Sequence, residues 1–81
     1  MPFSIAALLA AADEAEFAFV RDSVELSDSA LSKQAAALEA AGYVKVRKGY
    51  LGKVPRTWLS MTPRGRAAFA AHLDVLREIA G

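Results

Sequence analysis

Cationic side chains are concentrated in one stretch of this sequence, residues 43–66, which contains no acidic residue. The seven cations are Lys45, Arg47, Lys48, Lys53, Arg56, Arg64 and Arg66. The whole chain has a formal charge of only +1, because seven acidic and two cationic residues lie within residues 1–42. Such focused positive charge in a small protein favours binding of a polyanion. The alternative is a solvated basic hairpin whose charges keep a sheet edge soluble.

A second group of hydrogen-bonding side chains lies near the start of an alanine-rich helix predicted over residues 28–41. Leu31, Ala35 and Leu38 share one face of that helix, and the polar side chains lie away from it. The polar residues are Ser29, Ser32, Lys33 and Gln34. Their side chains can hydrogen-bond to base edges or to phosphates. In the alternative interpretation the serines are simply solvated and Gln34 lies at the edge of the core.

The residue types present do not support several other kinds of site. The chain has no cysteine, which excludes disulfides and thiolate metal sites and suggests a reducing, cytoplasmic location. His72 is the only histidine, and one histidine does not provide a metal site. No nucleophile–base pair, glycine-rich phosphate loop or paired carboxylates stand out, so we expect neither an enzyme nor a cofactor. The N-terminal apolar run is too short for a membrane span and lacks the charge order of a signal peptide.

Apolar spacing and capping residues predict the elements that must position these side chains. We predict helices over 4–12, 18–24, 28–41 and 63–80, strands over 43–48 and 56–61, and a loop over 49–55. Ser27 and Thr62 are expected N-caps, and Pro63 is suited to a first helical position. Gly42 is expected to end the third helix in a left-handed turn.

Three further expectations concern caps and packing. Ser4 is expected to be the N-cap of the first helix. The buried side of the second helix is predicted to comprise Phe19, Val20 and Val24. Gly65 lowers helix stability in the first turn of the last helix, which predicts a close backbone approach at that point.

The order of elements predicts a mainly α protein of the α+β class with a small β-hairpin. The second and third helices are joined by a turn of about three residues, as in a helix-turn-helix, and the adjacent hairpin makes the fold a winged helix. We therefore expect one winged helix-turn-helix domain over residues 1–81. Its order is a helix, a short strand, two helices, a strand, the wing, a strand and a last helix.

Five short motifs, in this order, resemble those of bacterial winged-helix transcription regulators of the MarR/ArsR kind. They are FxxVRD at 17–22, LSxSxLSK at 26–33, LEAAGYV at 38–44, PRT at 55–57 and MTPxGR at 61–66. The resemblance implies a sequence-specific regulator that binds double-stranded DNA. Helix 28–41 would enter the major groove, and wing 47–56 would contact the backbone or the minor groove. The single histidine argues against the metal-sensing ArsR subtype.

The residues expected to contact DNA lie on the third helix, on the wing and at the start of the last helix. They are Ser29, Ser32, Lys33, Gln34, Arg47, Lys48, Lys53, Arg56 and Arg64. Arg66 is expected either to contact phosphate as well or to pair with a nearby acid. Any effector ligand remains unknown.

The last helix has a long apolar stripe, which predicts a homodimer interface. The stripe comprises Phe69, Leu73, Leu76 and Ile79. The alternative, packing against the first helix of the same chain, accounts for some of these residues. Two other functions stay open: a winged helix that binds an acidic protein partner, and an RNA-binding protein. RNA is disfavoured because the outward face of the third helix has no aromatic residue for base stacking.

Overall fold

In a computed structural model, the chain forms four helices and a three-stranded antiparallel sheet. The structure describes residues 3–80, without the side chains of Phe3, Leu76 and Ala80. The helices are α1 (Phe3–Ala10), α2 (Phe17–Ser23), α3 (Asp28–Ala40) and α4 (Pro63–Ala80). The strands are β1 (Ala15–Glu16), β2 (Val44–Leu51) and β3 (Val54–Met61), in the sheet order β1-β3-β2. The predicted α+β winged-helix architecture is confirmed, including its short first strand.

Local capping groups set both ends of α3. The Ser27 hydroxyl accepts a hydrogen bond from the Ala30 amide at 3.1 Å, as expected of an N-cap. Gly42 has a φ of +80°, and the Tyr43 amide donates to the Leu38 carbonyl at 2.9 Å. This is the Schellman arrangement that a glycine after a helix favours. The expected caps are therefore confirmed, and α3 ends at Ala40, one residue before the predicted end.

The first two helices differ from the prediction at their ends. α1 begins at Phe3 and ends at Ala10, so Ser4 lies inside the helix rather than at its N-cap. The predicted helix continued to residue 12, but the chain turns there to enter the sheet. Ala15 pairs with Leu59 of β3 and is buried, and this long-range pairing competes with further helix. α2 then starts directly after β1, one residue earlier than predicted.

The wing contains more strand than the sequence suggested. Residues 49–55 were predicted to be a loop, but β2 continues to Leu51 and β3 begins at Val54. A two-residue connection suffices because Gly52 adopts a φ of +65° at its first position, as in a type II′ turn. Pro55 is tolerated within β3 because β1 pairs only with Trp58 and Leu59, which leaves that edge of the ribbon open.

The start of α4 is tied to the end of α3. The Thr62 hydroxyl accepts from the Gly65 amide at 3.0 Å and donates to the Gly42 carbonyl at 2.6 Å. Gly65 is buried, and a Cβ added there would overlap the Tyr43 carbonyl oxygen and lie 2.8 Å from Cγ of Met61. The expected close approach at Gly65 is thus made by the protein's own backbone. Pro63 occupies the first position of α4, as predicted.

One hydrophobic core joins all four helices to the sheet. Its largest fully buried side chains are Ile5, Leu9, Val20, Leu31 and Leu59. The predicted inner face of α3 is confirmed, because Leu31, Ala35 and Leu38 are all buried. On α2 the prediction is partly wrong: Val20 is buried and Val24 half-buried, but Phe19 is 58% exposed. α2 has only 7 residues, about two turns, and Val20 is its one buried residue, so Phe19 lies outside the face that contacts the core.

Candidate nucleic-acid interface

An arginine connects the two helices of the helix-turn-helix. Arg21 of α2 donates to Asp28, in the first turn of α3, at 2.7 Å and to Asp22 at 2.9 Å. These hydrogen bonds, first that to Asp22 and then that to Asp28, raise the pKa of Arg21. Arg21 and Asp28 are thus engaged with each other.

The start of α3 presents its predicted polar residues outward. Ser29, Ser32 and Lys33 are exposed, whereas Gln34 is half-buried. Ser29, Ser32 and Lys33 also border one shallow depression together with Ala30. Three of the four predicted helix residues therefore share a solvent-accessible surface, and Gln34 lies at its margin.

A second depression joins this helix surface to the wing. Ser32, Ala36 and Glu39 of α3 line one side, and Lys48 and Thr57 of the hairpin line the other. The cleft has a volume of about 360 Å³, and its floor includes Phe17, Ala35, Val46 and Leu59. Because Ser32 borders both depressions, the outward face of α3 and Lys48 lie on one side of the molecule. We name this surface, from Ser29 through Ser32 to Lys48, the α3–wing surface.

Strand alternation divides the wing cations between the two faces of the hairpin. Val46 pairs with Leu59 and Lys48 with Thr57, and all four line the cleft beside α3. Residues one position along the strand point to the opposite face. That face includes Lys45 and Arg47 of β2 and Arg56 and Trp58 of β3.

Arg47 is held on this opposite face by an acidic residue and an aromatic ring. Its Nε and Nη2 atoms donate to the two carboxylate oxygens of Glu14 at 2.9 and 2.7 Å. Its guanidinium lies 4.1 Å from the centre of the Trp58 ring. The hydrogen bond with Arg47 lowers the pKa of Glu14 and raises that of Arg47. Arg47 is thus bound in the bidentate geometry that a phosphate would also use.

Arg56 makes a similar contact with the next acidic residue along the chain. Its Nη1 lies 3.0 Å from a carboxylate oxygen of Glu16 in β1. Among the described side chains, Nε of Arg56 is a buried nitrogen without a hydrogen-bond partner. Arg56 also borders a depression that Lys48 and Tyr50 line, where β3 extends beyond β1. Both predicted wing arginines therefore have carboxylate partners in the free protein.

The other cations have different surroundings. Arg64 is exposed, and its guanidinium lies 5.7 Å from the centre of the Tyr43 ring. Arg66 donates to the carbonyls of Ala10 and Ala12 at 3.3 and 3.2 Å, so it caps the end of α1 instead of pairing with an acid. Lys53 lies in the turn of the wing and is exposed. Within residues 3–80, Lys33, Lys48 and Lys53 have no ion pair.

The predicted dimer residues have unequal exposure. Phe69 is buried in the core and Leu73 is half-buried against it. Ile79 is 78% exposed, and Val75, which the sequence analysis did not include, is 52% exposed. The side chain of Leu76 lies outside the described residues. Among the described residues of α4, the large apolar side chains that are exposed to solvent, Val75 and Ile79, both lie in its C-terminal half.

Sequence analysis did not identify Glu14 and Glu16 as part of this region. The signal was available: two acids at a spacing of two in an acidic run, and arginines at 47 and 56 on predicted strands. Alternation places residues two apart in an extended segment, such as Glu14 and Glu16, on one face. The pairing could not be assigned, because it depends on the register between β1 and β3, which local patterns do not define.

Two further features, a cluster of metal ligands and a membrane-spanning helix, are absent from the described residues. In residues 3–80 no three histidine, cysteine, aspartate or glutamate side chains are grouped so that they could hold a metal ion. Nor does this part of the chain include a helix with the length and apolar character needed to cross a membrane.

Comparison with known proteins adds independent information. A family model described as a winged helix DNA-binding domain matches residues 2–80. A transcriptional regulator homologue from Pyrococcus horikoshii superposes with a TM-score of 0.86 at 25% identity, covering 94% of this chain and 75% of that one. A MarR family transcriptional regulator from Silicibacter pomeroyi superposes with a TM-score of 0.75 at 24% identity, covering 94% and 50%. No curated protein sequence matches this chain.

A third solved structure contains nucleic acid. Bacillus subtilis PadR in complex with operator DNA superposes with a TM-score of 0.76 at 16% identity, covering 88% of this chain and 44% of PadR. At that identity the likeness concerns the fold alone. The chain spans three quarters of the Pyrococcus protein and half or less of the other two.

Proposed function

The chain belongs to the family of winged helix DNA-binding domains, and we propose that it is a sequence-specific regulator of transcription that binds double-stranded DNA through its α3–wing surface. α3 would enter the major groove, and the wing would follow the phosphate backbone or the minor groove. The observation that carries the proposal is the shared cleft between Ser32 of α3 and Lys48 of the wing. The cleft joins a hydrogen-bonding helix face to a basic strand, which supports contact of both with one duplex.

The proposed contacts fall into two classes. Ser29, Ser32 and Lys33 are exposed at the start of α3 and are assigned to base edges and adjacent phosphates, with Gln34 at the margin. Lys48, Lys53 and Arg64 are exposed and are assigned to phosphates. Arg47 and Arg56 can join this second class only by exchanging a carboxylate partner for a phosphate. The PadR complex with operator DNA supports this use of the fold.

A mobility-shift titration against genomic fragments, repeated over a range of salt concentrations, tests the proposal. We expect certain fragments to bind preferentially. The logarithm of the affinity should fall against the logarithm of salt with a slope of about −0.9 per phosphate contact. The absence of any preferred, salt-sensitive complex would refute duplex recognition.

We further propose a homodimer that binds a palindromic site, with α3 helices about 34 Å apart. Support comes from the exposed Val75 and Ile79 near the end of α4. Replacing Ile79 with aspartate should shift sedimentation toward the monomer and weaken DNA binding. The same replacement at Ala70, which is exposed on the opposite face of α4, serves as a control. Equal effects of the two variants would oppose this interface.

The proposed location of the protein is the cytoplasm.

One observation favours a second function, the binding of a protein partner. The tip of the wing exposes Tyr50, Leu51 and Val54, which are 73%, 62% and 50% accessible. Exposed apolar side chains on a projecting ribbon are typical of a protein contact. If this is the function, replacing Leu51 and Val54 with serine should abolish the partner complex, while no duplex is bound by the unaltered protein.

A further inference from the structure

We propose that Glu14 and Glu16 are internal competitors of DNA phosphate: they hold Arg47 and Arg56 in the free protein, and each arginine must release its carboxylate to contact a duplex. The inference rests on the proposed DNA-binding function. It assigns a role to two acidic residues outside the recognition helix. By occupying the two wing arginines, they lower affinity for duplex DNA of any sequence.

Glu14 and a phosphate would compete for the same two N–H groups of Arg47. Glu14 accepts from two nitrogens of Arg47 at 2.9 and 2.7 Å. Carboxylates and phosphates both accept such paired donors from a planar guanidinium. One oxyanion therefore excludes the other from these two N–H groups, and binding of Arg47 to a phosphate requires that Glu14 leaves.

Both ion pairs are in contact with water, so each carboxylate can be exchanged for a phosphate. The side chains of Glu14 and Arg47 are 35% and 50% exposed, and those of Glu16 and Arg56 are 32% and 37% exposed. Ion pairs in contact with water add little net stability, because both partners are well solvated when apart. Stacking on Trp58, with 4.1 Å between the guanidinium and the ring centre, can keep Arg47 in place after Glu14 leaves.

In the free protein, Arg56 does not have a hydrogen-bond acceptor for each of its buried N–H groups. It has one contact to Glu16, at 3.0 Å, and within the described structure its buried Nε lacks an acceptor. A buried donor without a partner disfavours the conformation that contains it. A rearrangement that turns Arg56 toward a phosphate removes this cost, whereas the free conformation retains it.

The test is a double-mutant cycle on Glu14 and Arg47 with a labelled duplex of random sequence. Glu14→Gln should tighten binding roughly three- to eightfold at about 0.1 M salt, since it frees one phosphate contact. Asp13→Asn is the matched control, because it changes the net charge equally at the neighbouring position, and no ion pair of Asp13 is present in residues 3–80. Asp13→Asn should change affinity less than about twofold.

The cycle assigns the gain to one residue. In an Arg47→Gln background, Glu14→Gln should give no more gain than Asp13→Asn. An equal gain in both backgrounds would overturn the inference, as would equal effects of Glu14→Gln and Asp13→Asn. Weaker binding by Glu14→Gln would also overturn the inference, since this would show that the ion pair only stabilises the conformation of the wing.

Two further measurements keep the outcome clear. Thermal unfolding of each variant reports whether it is folded. If Glu14→Gln is not folded, a double-mutant cycle with Glu16→Gln and Arg56→Gln repeats the test on the second ion pair. If the unaltered protein and all variants bind no duplex, the proposed function fails and this inference fails with it. If the unaltered protein binds and the cycle shows no coupling, only this inference fails.

Discussion

Ser32 of α3 and Lys48 of β2 border the same cleft, although they belong to elements on opposite sides of the α3–β2 turn. The relationship arises because β2 returns alongside α3 after the left-handed turn at Gly42. Lys45, which precedes Lys48 by three residues, lies on the other face of the same strand. This difference between two lysines of one strand provides a direct test of the α3–wing surface.

Lys48→Gln should weaken binding to all duplexes and make the salt slope shallower by about 0.9, because one phosphate contact is lost. Lys45→Gln removes the same charge from the same strand and should have a smaller effect, since Lys45 lies on the other face and at the start of β2, farther from the wing tip than Arg47 and Lys48. Fluorescence anisotropy over a salt series measures both quantities. Equal losses for the two variants would show that the wing contributes only general charge.

Gly65→Ala should destabilise the protein, although alanine is the better helix former. Helix propensity alone predicts a gain of about 1 kcal/mol in the free energy of unfolding. A Cβ at position 65 would overlap the Tyr43 carbonyl oxygen, so the first turn of α4 must move away from the end of α3. Overpacking of this kind costs about 1–3 kcal/mol, and we expect a net loss in urea unfolding.

The reverse substitution on the same helix provides the control. Ala67 is exposed in α4, and Ala67→Gly should cost about 1 kcal/mol through helix propensity alone. An increase in stability for Gly65→Ala would contradict the close approach between α4 and Tyr43.

Glu25→Gly should stabilise the protein. Glu25 has a φ of 57° in the turn between α2 and α3, a conformation that costs an L-residue about 1 kcal/mol or more relative to glycine. We therefore expect an increase of about 1 kcal/mol in the free energy of unfolding, measured by urea titration. Ser23→Gly, in the last turn of α2, should instead cost about 0.5–1 kcal/mol. Destabilisation by Glu25→Gly would mean that the turn does not adopt this conformation.

The Glu14–Arg47 pair should make stability depend on pH. The hydrogen bond from Arg47 lowers the pKa of Glu14 below its ordinary value of 4.5. The pair therefore stabilises the folded protein above about pH 4.5, and this contribution is lost as the pH falls through the folded-state pKa of Glu14. Thermal unfolding of the unaltered protein and Glu14→Gln should differ at neutral pH and converge in acid.

Arg47→Gln provides the partner control for this pH dependence. It removes the same ion pair from the other side and should reduce the acid sensitivity of unfolding in the same direction as Glu14→Gln. A stability difference that stays constant down to acid pH would show that the pair does not titrate as the structure implies.

Much of the fold was predictable because it depends on interactions between residues close in the chain. Ser27, Gly42 and Thr62 mark helix ends through hydrogen bonds that span at most a few residues, and the inner face of α3 follows from helical spacing. The prediction of a loop over 49–55 was wrong. The glycines and the proline in this stretch do not show whether β2 and β3 stay paired beyond the part of the sheet that includes β1. The exposure of Phe19 was missed because a helix of only about two turns does not specify which elements pack against it.

The chain's order of elements, its membership of the winged-helix family and the polar outer face of α3 follow from residue types and their periodicity, which act locally and can be read along the sequence. The state of the wing arginines does not. Glu14 lies 33 residues from Arg47, and the two meet only because β1 pairs with β3 and so brings the acidic segment to the hairpin. Burial of Ala15 against Leu59 selects that register, and burial depends on the whole core. Folding therefore determines which cations have a carboxylate partner and which are open to another anion.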